Sequence, residues 1–418
     1  MQVSQSSALG IYISIPFCRS KCTYCNFASG VYPASEHARY IDRLLEDLKA
    51  SGPWAAQMGV ELPRRVDSVY LGGGTPSLLE PEHFERLFAA LRREFDFDAD
   101  AEITVECAPG QIAEPTLEAL AGVGVNRVSL GVQSFIDREA QVSGRLHSRA
   151  SVLETIARLR AAGITNLSVD LIAGLAGQTD ASWEESLGVL TELGVPHASV
   201  YMLEVDEDSR LGRELLAGGA RYFAEAVPTD DAIARMYGVA LERLAAGGFN
   251  QYEISNFSKP GFQSRHNLRY WERRPYLGLG LDASSAFEAD DEPSQSTSAP
   301  DLGSNRRYVL RTNTTDDLKE YLSGPQSVET AWLSPDRQHE EAWFLGLRMN
   351  AGVNLRAVEA EFGTDRVNRA RKSVTRLEED GLLVTDGETV RLTEHGRLLS
   401  NDVFQEFLEE VGQEVHRA

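Results

Sequence analysis

Three of the four cysteines in this 418-residue chain fall within eight positions, as Cys18-Arg-Ser-Lys-Cys22-Thr-Tyr-Cys25, just after the apolar run Ile11-Tyr-Ile-Ser-Ile15. Three thiolates can hold three corners of a cubane iron–sulfur cluster, where full protein ligation would use four. Their close spacing lets the sulfurs converge on one small inorganic object and leaves one iron open to a non-protein ligand. Two other readings stand beside this one. Positions i, i+4 and i+7 share one helical face, where cysteines pack as small hydrophobes; Pro16 and the β-type run before it point instead to a strand entering a loop. A structural zinc would want four ligands, commonly from CxxC pairs, and no second pair exists. Cys107 lies far from the triplet, next to Glu106, and reads as a buried thiol.

The remaining chain must position that triplet. Its first half alternates β-type runs (Ile11–Ile15, Val66–Leu71, Glu102–Val105, Arg127–Leu130, Leu167–Ile172, Ala198–Leu203) with amphipathic helical stretches (Ala38–Ala50, Pro81–Arg93, Pro115–Ala121, Val152–Ala162, Ala181–Leu193). This βαβα rhythm predicts an α/β fold with a parallel sheet covered by helices. Ligand chemistry in such sheets gathers at the carboxyl ends of the strands, here marked by Gly72-Gly-Gly-Thr-Pro76, Glu106, Gly131-Val-Gln133 and Asp170. Glycines permit close backbone approach to a ligand, the carboxylates and Gln133 accept hydrogen bonds from hydroxyls or an ammonium group, and Arg145 can fork onto a carboxylate.

After about residue 225 the rhythm weakens. Gly248–Asn256 reads as one further strand followed by Ser264–Trp271, and the acidic, Ser/Pro-rich stretch 288–305 as a mobile surface loop. Helices over Asp336–Leu347, Leu355–Phe362 and Asp365–Asp380, a hairpin over Leu382–Leu392 and a last helix over Ser400–Val411 follow a winged-helix order. The expected units are therefore residues 1–235, 236–330 and 331–418. A net charge of −22, with 17 acidic against 11 basic side chains in residues 331–418, argues against nucleic acid as a partner. Apart from His147, which is placed to brace Arg145, and His266, the histidines (His37, His83, His197, His339, His395 and His416) read as surface or capping residues. Few cysteines, no apolar run of membrane-spanning length and an N-terminus without a signal-peptide pattern suit the cytoplasm.

A strand, a CxxxCxxC triplet and a glycine-rich strand end together resemble the radical S-adenosylmethionine (SAM) superfamily. The likeness narrows at Tyr12-Ile-Ser-Ile-Pro-Phe-Cys18, similar to the YxHIPFC start of the coproporphyrinogen III dehydrogenase group, and continues through Tyr70-Leu-Gly-Gly-Gly-Thr-Pro76, Thr104-Val-Glu106, Gly131-Val-Gln-Ser-Phe135 and Ser168-Val-Asp-Leu-Ile172. It implies a partial (β/α) TIM-type barrel with a C-terminal winged-helix-like α+β domain, and a 4Fe–4S cluster on Cys18, Cys22 and Cys25 whose open iron is chelated by SAM. Matched positions assign SAM contacts to Tyr12, Gly73, Gly74, Thr75, Glu106 and Asp170, with Tyr24, Gln133 and Arg145 at a second SAM site and Phe27 as a further cofactor-binding position.

Within that group the dehydrogenases carry a fourth cysteine two residues past the triplet, where this chain has Phe27. Phe27, the short segment before Tyr12 and the HNxxYW motif at His266-Asn-Leu-Arg-Tyr-Trp271 resemble the heme-chaperone branch, HemW. That resemblance implies heme as a third ligand with His266 as its candidate ligand, and transfer of heme to client hemoproteins such as respiratory enzymes. It leaves room for a peripheral membrane contact and a homodimer. The alternatives are oxygen-independent coproporphyrinogen III dehydrogenation, or another radical reaction on a tetrapyrrole. The chain departs from the pattern at Ser14 (histidine in YxHIP), Ala176 (proline in GLPGQT), Asp208-Ser209 (glycine-threonine) and Ser284 (histidine in GxGAHS).

Overall fold

The computed structural model describes residues 8–289, 308–324 and 328–408. Six parallel strands run side by side in chain order: β1 (Leu9–Ile15), β2 (Arg65–Gly73), β3 (Asp96–Cys107), β4 (Arg127–Gln133), β5 (Asn166–Ala173) and β6 (His197–Met202). Helices follow them: α1 (Ala34–Gln57), α2 (Pro81–Glu94), α3 (Glu114–Gly122), α4 (Asp137–Val142), α5 (Arg149–Ala161), α6 (Asp180–Glu192), α7 (Arg210–Leu216) and α8 (Asp230–Ala246). Antiparallel strands β8 (Asn256–Ser258) and β7 (Asn250–Gln251) extend the sheet beyond β6. At the other side β9 (Tyr276–Leu279) lies parallel to β1, and β10 (Ser284–Ala289), β11 (Tyr308–Asn313) and β12 (Glu329–Trp332) continue antiparallel. The sheet is an open, partial barrel.

Alternation along each strand sorts side chains between two environments. Ile11, Ile13, Ile15, Val69, Leu71, Ile103, Val105, Val128, Leu130, Leu167, Val169, Leu171 and Val200 join one hydrophobic core with Leu44, Phe84, Leu87, Leu159, Trp183 and Leu187 of the helices. The opposite face is polar. Across the registers run Tyr12, Tyr70, Thr104 and Arg127 in one row, and Glu106, Ser129, Ser168 and His197 in the next.

Helix α9 (Arg265–Trp271) closes the barrel at the amino ends of the strands. Glu102 on β3 accepts from the backbone N–H groups of Arg265 and His266, each at 3.1 Å, satisfying donors that the first turn of a helix leaves free. Buried Arg269 donates to the carbonyls of Ala8 at 2.7 Å and Pro275 at 2.8 Å, and to Asp67.

After α10 (Leu318–Leu322), helices α11 (Pro335–Arg348), α12 (Leu355–Phe362) and α13 (Thr364–Glu379) and the strands β13 (Val353–Asn354), β14 (Leu383–Asp386) and β15 (Thr389–Leu392) form a winged-helix-like module. Its own core includes Trp343, Leu347, Val358, Val367, Val374, Leu377 and Val390. Ile254, from the barrel side, packs into this second core, and its backbone N–H donates to the Arg348 carbonyl at 3.2 Å.

Several expectations are corrected. The single strand over Gly248–Asn256 is two short strands, β7 and β8, around a turn held by buried Glu253, which accepts from Ser255 N–H at 3.0 Å. β3 begins at Asp96 rather than Glu102, because Arg65 on β2 clamps Asp98 with bonds of 2.7 and 2.9 Å. Helix α8 spans position 235/236, with Ile233, Met236 and Tyr237 in the barrel core, and we propose the division into units 1–235, 236–330 and 331–418. Of the acidic stretch, Glu288 and Ala289 complete β10 and residues 290–305 lie outside the described ones; the last helix spans Ser400–Gln405, and residues past 408 likewise lie outside.

Three histidines read as surface groups are buried. His197 bonds Ser168 at 2.8 Å and Tyr252 at 2.9 Å inside the barrel. His37 and His83 lie under the first turns of α1 and α2, where Phe17 sits 4.1 Å from the His37 ring. His339 accepts from the Trp343 indole at 3.0 Å, His395 is exposed, and His416 lies outside the described residues. No helix among the described residues is long and apolar enough to cross a membrane.

Gly74 is where this packing is tightest next to the triplet. A Cβ there would stand 2.8 Å from the Phe17 carbonyl oxygen and 2.9 Å from that of Ile15, both immovable backbone. Gly74→Ala is expected to displace the loop beginning at Cys18, lowering iron incorporated per chain at least twofold on reconstitution; wild-type iron content would show that the loop yields without consequence.

Candidate functional site

The loop after β1 is shaped by backbone bonds before any ligand is considered. Cys18 N–H donates to Gly30 at 2.8 Å, Gly30 N–H to Pro16 at 2.9 Å and Thr23 N–H to Ser143 at 3.1 Å. This folds the loop over the carboxyl ends of the strands, where it walls a cavity of about 300 Å³. Cys18, Cys22, Cys25, Tyr24, Phe27, Gly73, Gly74, Thr75, Glu106, Gln133, Arg145 and Asp170 all line it. Twelve of the fourteen residues expected at the site from sequence are thereby brought together. Tyr12 and His266 are the exceptions.

Each triplet sulfur has a polar neighbour of its own. Thr75 Oγ1 lies 3.8 Å from Cys18 Sγ, Arg145 Nη1 3.7 Å from Cys22 Sγ, and Ser29 Oγ 3.9 Å from Cys25 Sγ. Hydrogen bonds to cluster sulfurs are one way a protein tunes an iron–sulfur centre. No three His, Cys, Asp or Glu side chains among the described residues are grouped to hold a single metal ion. Burial pushes the Cys107 thiol up to about 12, which keeps it protonated at neutral pH, although it too borders the cavity.

The cavity floor is acidic and braced. Glu106 accepts from the Tyr70 hydroxyl at 2.8 Å and from Gly73 N–H at 3.2 Å. Burial lifts its carboxyl to about 7, and neighbouring Asp170 adds to the rise against those two bonds. Asp170 accepts from Ser129 Oγ at 3.1 Å to each oxygen and from Ser168 Oγ at 3.3 Å; its carboxyl is also raised, chiefly by burial. Gln133 holds φ at 68°, beyond a register shift in β4, and its Oε1 is buried without a partner among the described residues. Arg145 bonds the Gly131 carbonyl and leaves its Nε likewise unpartnered. A Cβ at Gly131 would lie 2.1 Å from Arg145 Nη2, so the glycine makes room for the guanidinium. Unsatisfied buried donors and acceptors on the cavity wall fit a polar ligand.

Tyr12 lies one row below the cavity floor, its ring 6.2 Å from Tyr70 and 6.5 Å from His266. His266 is fully buried in the barrel floor, with Nδ1 bonded to Ser68 at 3.1 Å and Nε2 to Tyr270 at 2.9 Å. Burial, followed by the nearby Arg269, lowers its pKa to about 3. Both ring nitrogens are spoken for, and the motif containing His266 is structural in this conformation. His147 bonds the Val132 carbonyl at 3.0 Å instead of bracing Arg145. Residues that the sequence reading missed at the cavity include Tyr201, Ser129, Gln111 and Leu146. Tyr201 and Ser129 could have been found by extending the inward parity of β6 and β4; Gln111 and Leu146 stand on loops without such a signal.

Comparison with known proteins agrees with this geometry. The Radical SAM superfamily model matches residues 12–190, and the HemN C-terminal domain model matches residues 333–399. The chain is similar to the heme chaperone HemW of Lactococcus lactis, at 32% identity over 397 residues covering 95% of this chain and 96% of that one. It is likewise 32% identical to the heme chaperone HemW of Bacillus subtilis, covering 96% and 99%. Coproporphyrinogen III oxidase (HemN) from Escherichia coli has the same fold, with a TM-score of 0.78 at 22% identity, covering 96% of this chain and 90% of that one.

Two expectations follow. Because the Glu106 carboxyl is raised in the folded chain, its contribution to stability is complete below the unfolded carboxylate range (roughly 4–5) and is lost as pH climbs through about 7. Relative to Glu106→Gln, the ligand-free wild type should therefore lose about 2 kcal/mol between pH 5 and pH 8 in urea titrations; a flat difference would show the carboxyl to be solvated. His266→Ala should cost about 2–4 kcal/mol by leaving a void and two unpartnered hydroxyls, with heme affinity unchanged. Wild-type stability together with lost heme affinity would restore His266 as a ligand.

Proposed function

The chain belongs to the HemW family within the radical SAM superfamily, and from that membership we propose that it is a cytoplasmic heme chaperone. It binds a 4Fe–4S cluster, SAM and heme, and hands heme to hemoproteins. The observation that carries this reading is the convergence of three thiols and the braced acidic set on one cavity at the barrel mouth. In the proposed complex Cys18, Cys22 and Cys25 hold the cluster, and Glu106, Asp170, Gln133 and Arg145 meet the polar groups of SAM. When bound, the cluster supplies a redox centre and SAM a ligand for its open iron.

The chain's own residues orient and exclude. Thr75, Ser29 and Arg145 aim donors at the three sulfurs, Ser129 and Ser168 fix the Asp170 carboxylate, and the loop from Cys18 to Gly30 covers the cavity. Phe27, exposed beside the triplet, supplies no thiol where the dehydrogenases of the group carry one. Client hemoproteins, respiratory enzymes among them, a peripheral membrane contact and a homodimer complete the proposal.

The test is anaerobic. With cluster, SAM, reductant and either heme or coproporphyrinogen III, wild type should bind heme stably and form no decarboxylated product. Cys22→Ala should lose the broad visible absorption and most of the iron. Stoichiometric 5′-deoxyadenosine with protoporphyrinogen would make the chain a dehydrogenase and overturn the chaperone reading.

A further inference from the structure

Within the proposed function, which this inference deepens, one cavity must serve ligands of very different size. At about 300 Å³ the space walled by the triplet sits at the lower limit for one drug-sized ligand. It has no room for a porphyrin beside SAM. His266, the sequence candidate for the heme, is sealed in the floor with both nitrogens bonded. Heme therefore needs a surface outside the cavity.

The surface around the mouth has the right chemistry. Segment 206–226 forms an arch along the rim. At one end Asn26 Nδ2 bonds Asp206 at 3.0 Å, Arg210 Nη1 bonds the Lys21 carbonyl at 3.3 Å, and Leu211 N–H bonds the Thr23 carbonyl at 2.8 Å. At the other end Gly177 N–H, just past β5, bonds the Ala226 carbonyl at 2.7 Å. Twelve large hydrophobic side chains are exposed among the described residues, and half of them belong to this rim. Phe27 (61% exposed), Leu146 (61%) and Tyr201 (42%) border the cavity, while Leu215, Leu216 and Phe223 stand on the arch. Tyr222 and Phe223 hold φ of 58° and 55°, a conformation that costs energy in non-glycine residues and clusters at ligand clamps. Apolar side chains gathered around one opening mark a binding site more than a solvated surface.

Charge narrows the occupant. On a chain of net charge −22 the rim is of mixed charge: Asp206, Glu207, Asp208, Glu214 and Glu225 stand on the arch beside Arg210, Arg213 and Arg221, and exposed Arg19 and Arg210, next to the cluster loop, are in no ion pair among the described residues. A flat apolar ring with two carboxylates at one edge meets both features: apolar side chains take its face, and guanidinium groups take its propionates. We propose that heme binds on the rim, over the mouth of the SAM cavity, against Phe27, Leu146, Tyr201 and Phe223, with Arg19 and Arg210 holding its propionates.

The test titrates hemin into the cluster-loaded full chain and reads the Soret band. Phe223→Glu should weaken heme binding roughly tenfold or more with cluster iron content and SAM affinity retained, and Leu146→Glu, at the edge of the cavity, should weaken heme binding at least as much. Arg19→Glu/Arg210→Glu should weaken binding of heme but not of heme dimethyl ester. Wild-type heme affinity in both apolar variants would overturn the rim site while leaving the chaperone reading intact. Normal heme affinity with lost transfer to an apo-hemoprotein would also overturn it, making the rim a protein-docking face. Failure of wild type itself to bind heme would overturn the chaperone reading and this inference together.

Discussion

The structure depends on one constraint: six parallel strands that alternate apolar and polar side chains over their working length. Parallel sheets are usually buried in apolar surroundings on both faces. Here only the helix-covered face is apolar, and the concave face carries Tyr70, Thr104, Glu106, Arg127, Ser129, Ser168 and Asp170. Outward residues supply the hydrophobic stabilisation, which leaves the inward row free to be selected for polarity. That freedom has a cost, because a charge removed from water must find compensation. Arg127, fully buried, answers the negative charge of Glu102 and Asp170 across the barrel. Serines on neighbouring strands bond the Asp170 carboxylate, and the Tyr70 hydroxyl bonds Glu106.

A polar interior must also be closed at both ends, and the two closures differ in kind. At the carboxyl ends the loop from Cys18 to Gly30 closes by backbone bonds and leaves side chains free to line a cavity. At the amino ends the HNxxYW helix closes by committing its His266 and Arg269 side chains to partners in the barrel. Glu102 takes its first N–H groups, His266 is bonded on both sides, and Arg269 stitches Ala8, Pro275 and Asp67 together. Trp271, the last residue of the motif, lies under the Arg348 guanidinium at 4.4 Å, and Arg348 pairs with buried Glu253 at 3.2 Å. The adjacent Arg273 clamps Glu361 of α12. The motif is thus the joint between barrel and winged-helix-like module as well as the barrel floor.

This explains what could be read from the chain alone. Strand and helix order followed from periodicity, and the residues at the strand ends were legible because a parallel sheet collects its functional groups there. Those positions converge on one cavity with the triplet. The errors share a cause. His37, His83 and His197 look like polar residues that belong at a surface, but all three are buried, and His197 satisfies both nitrogens with residues distant in sequence, Ser168 and Tyr252. A sequence records a polar side chain but not the partner that lets it be buried. The register that brings Ser168 opposite His197 is set by the whole sheet, and no local pattern announces it.

The same contrast bears on how a carrier differs from an enzyme built on one fold. Tight enclosure of a ligand raises affinity chiefly by slowing its escape. A protein that must give its cargo away gains from holding it against an open surface, where a recipient can reach the ring while part of it is still bound. An interior histidine with both nitrogens committed would have to break two hydrogen bonds and open the barrel floor before it could ligate iron. Rim side chains such as Phe27 and Leu146, already exposed beside the cluster loop, need no such rearrangement. In the proposed chaperone the deep polar cavity retains the small cofactor, and the shallow apolar rim carries the large one. The division follows from cavity size and exposure without requiring any movement of the barrel.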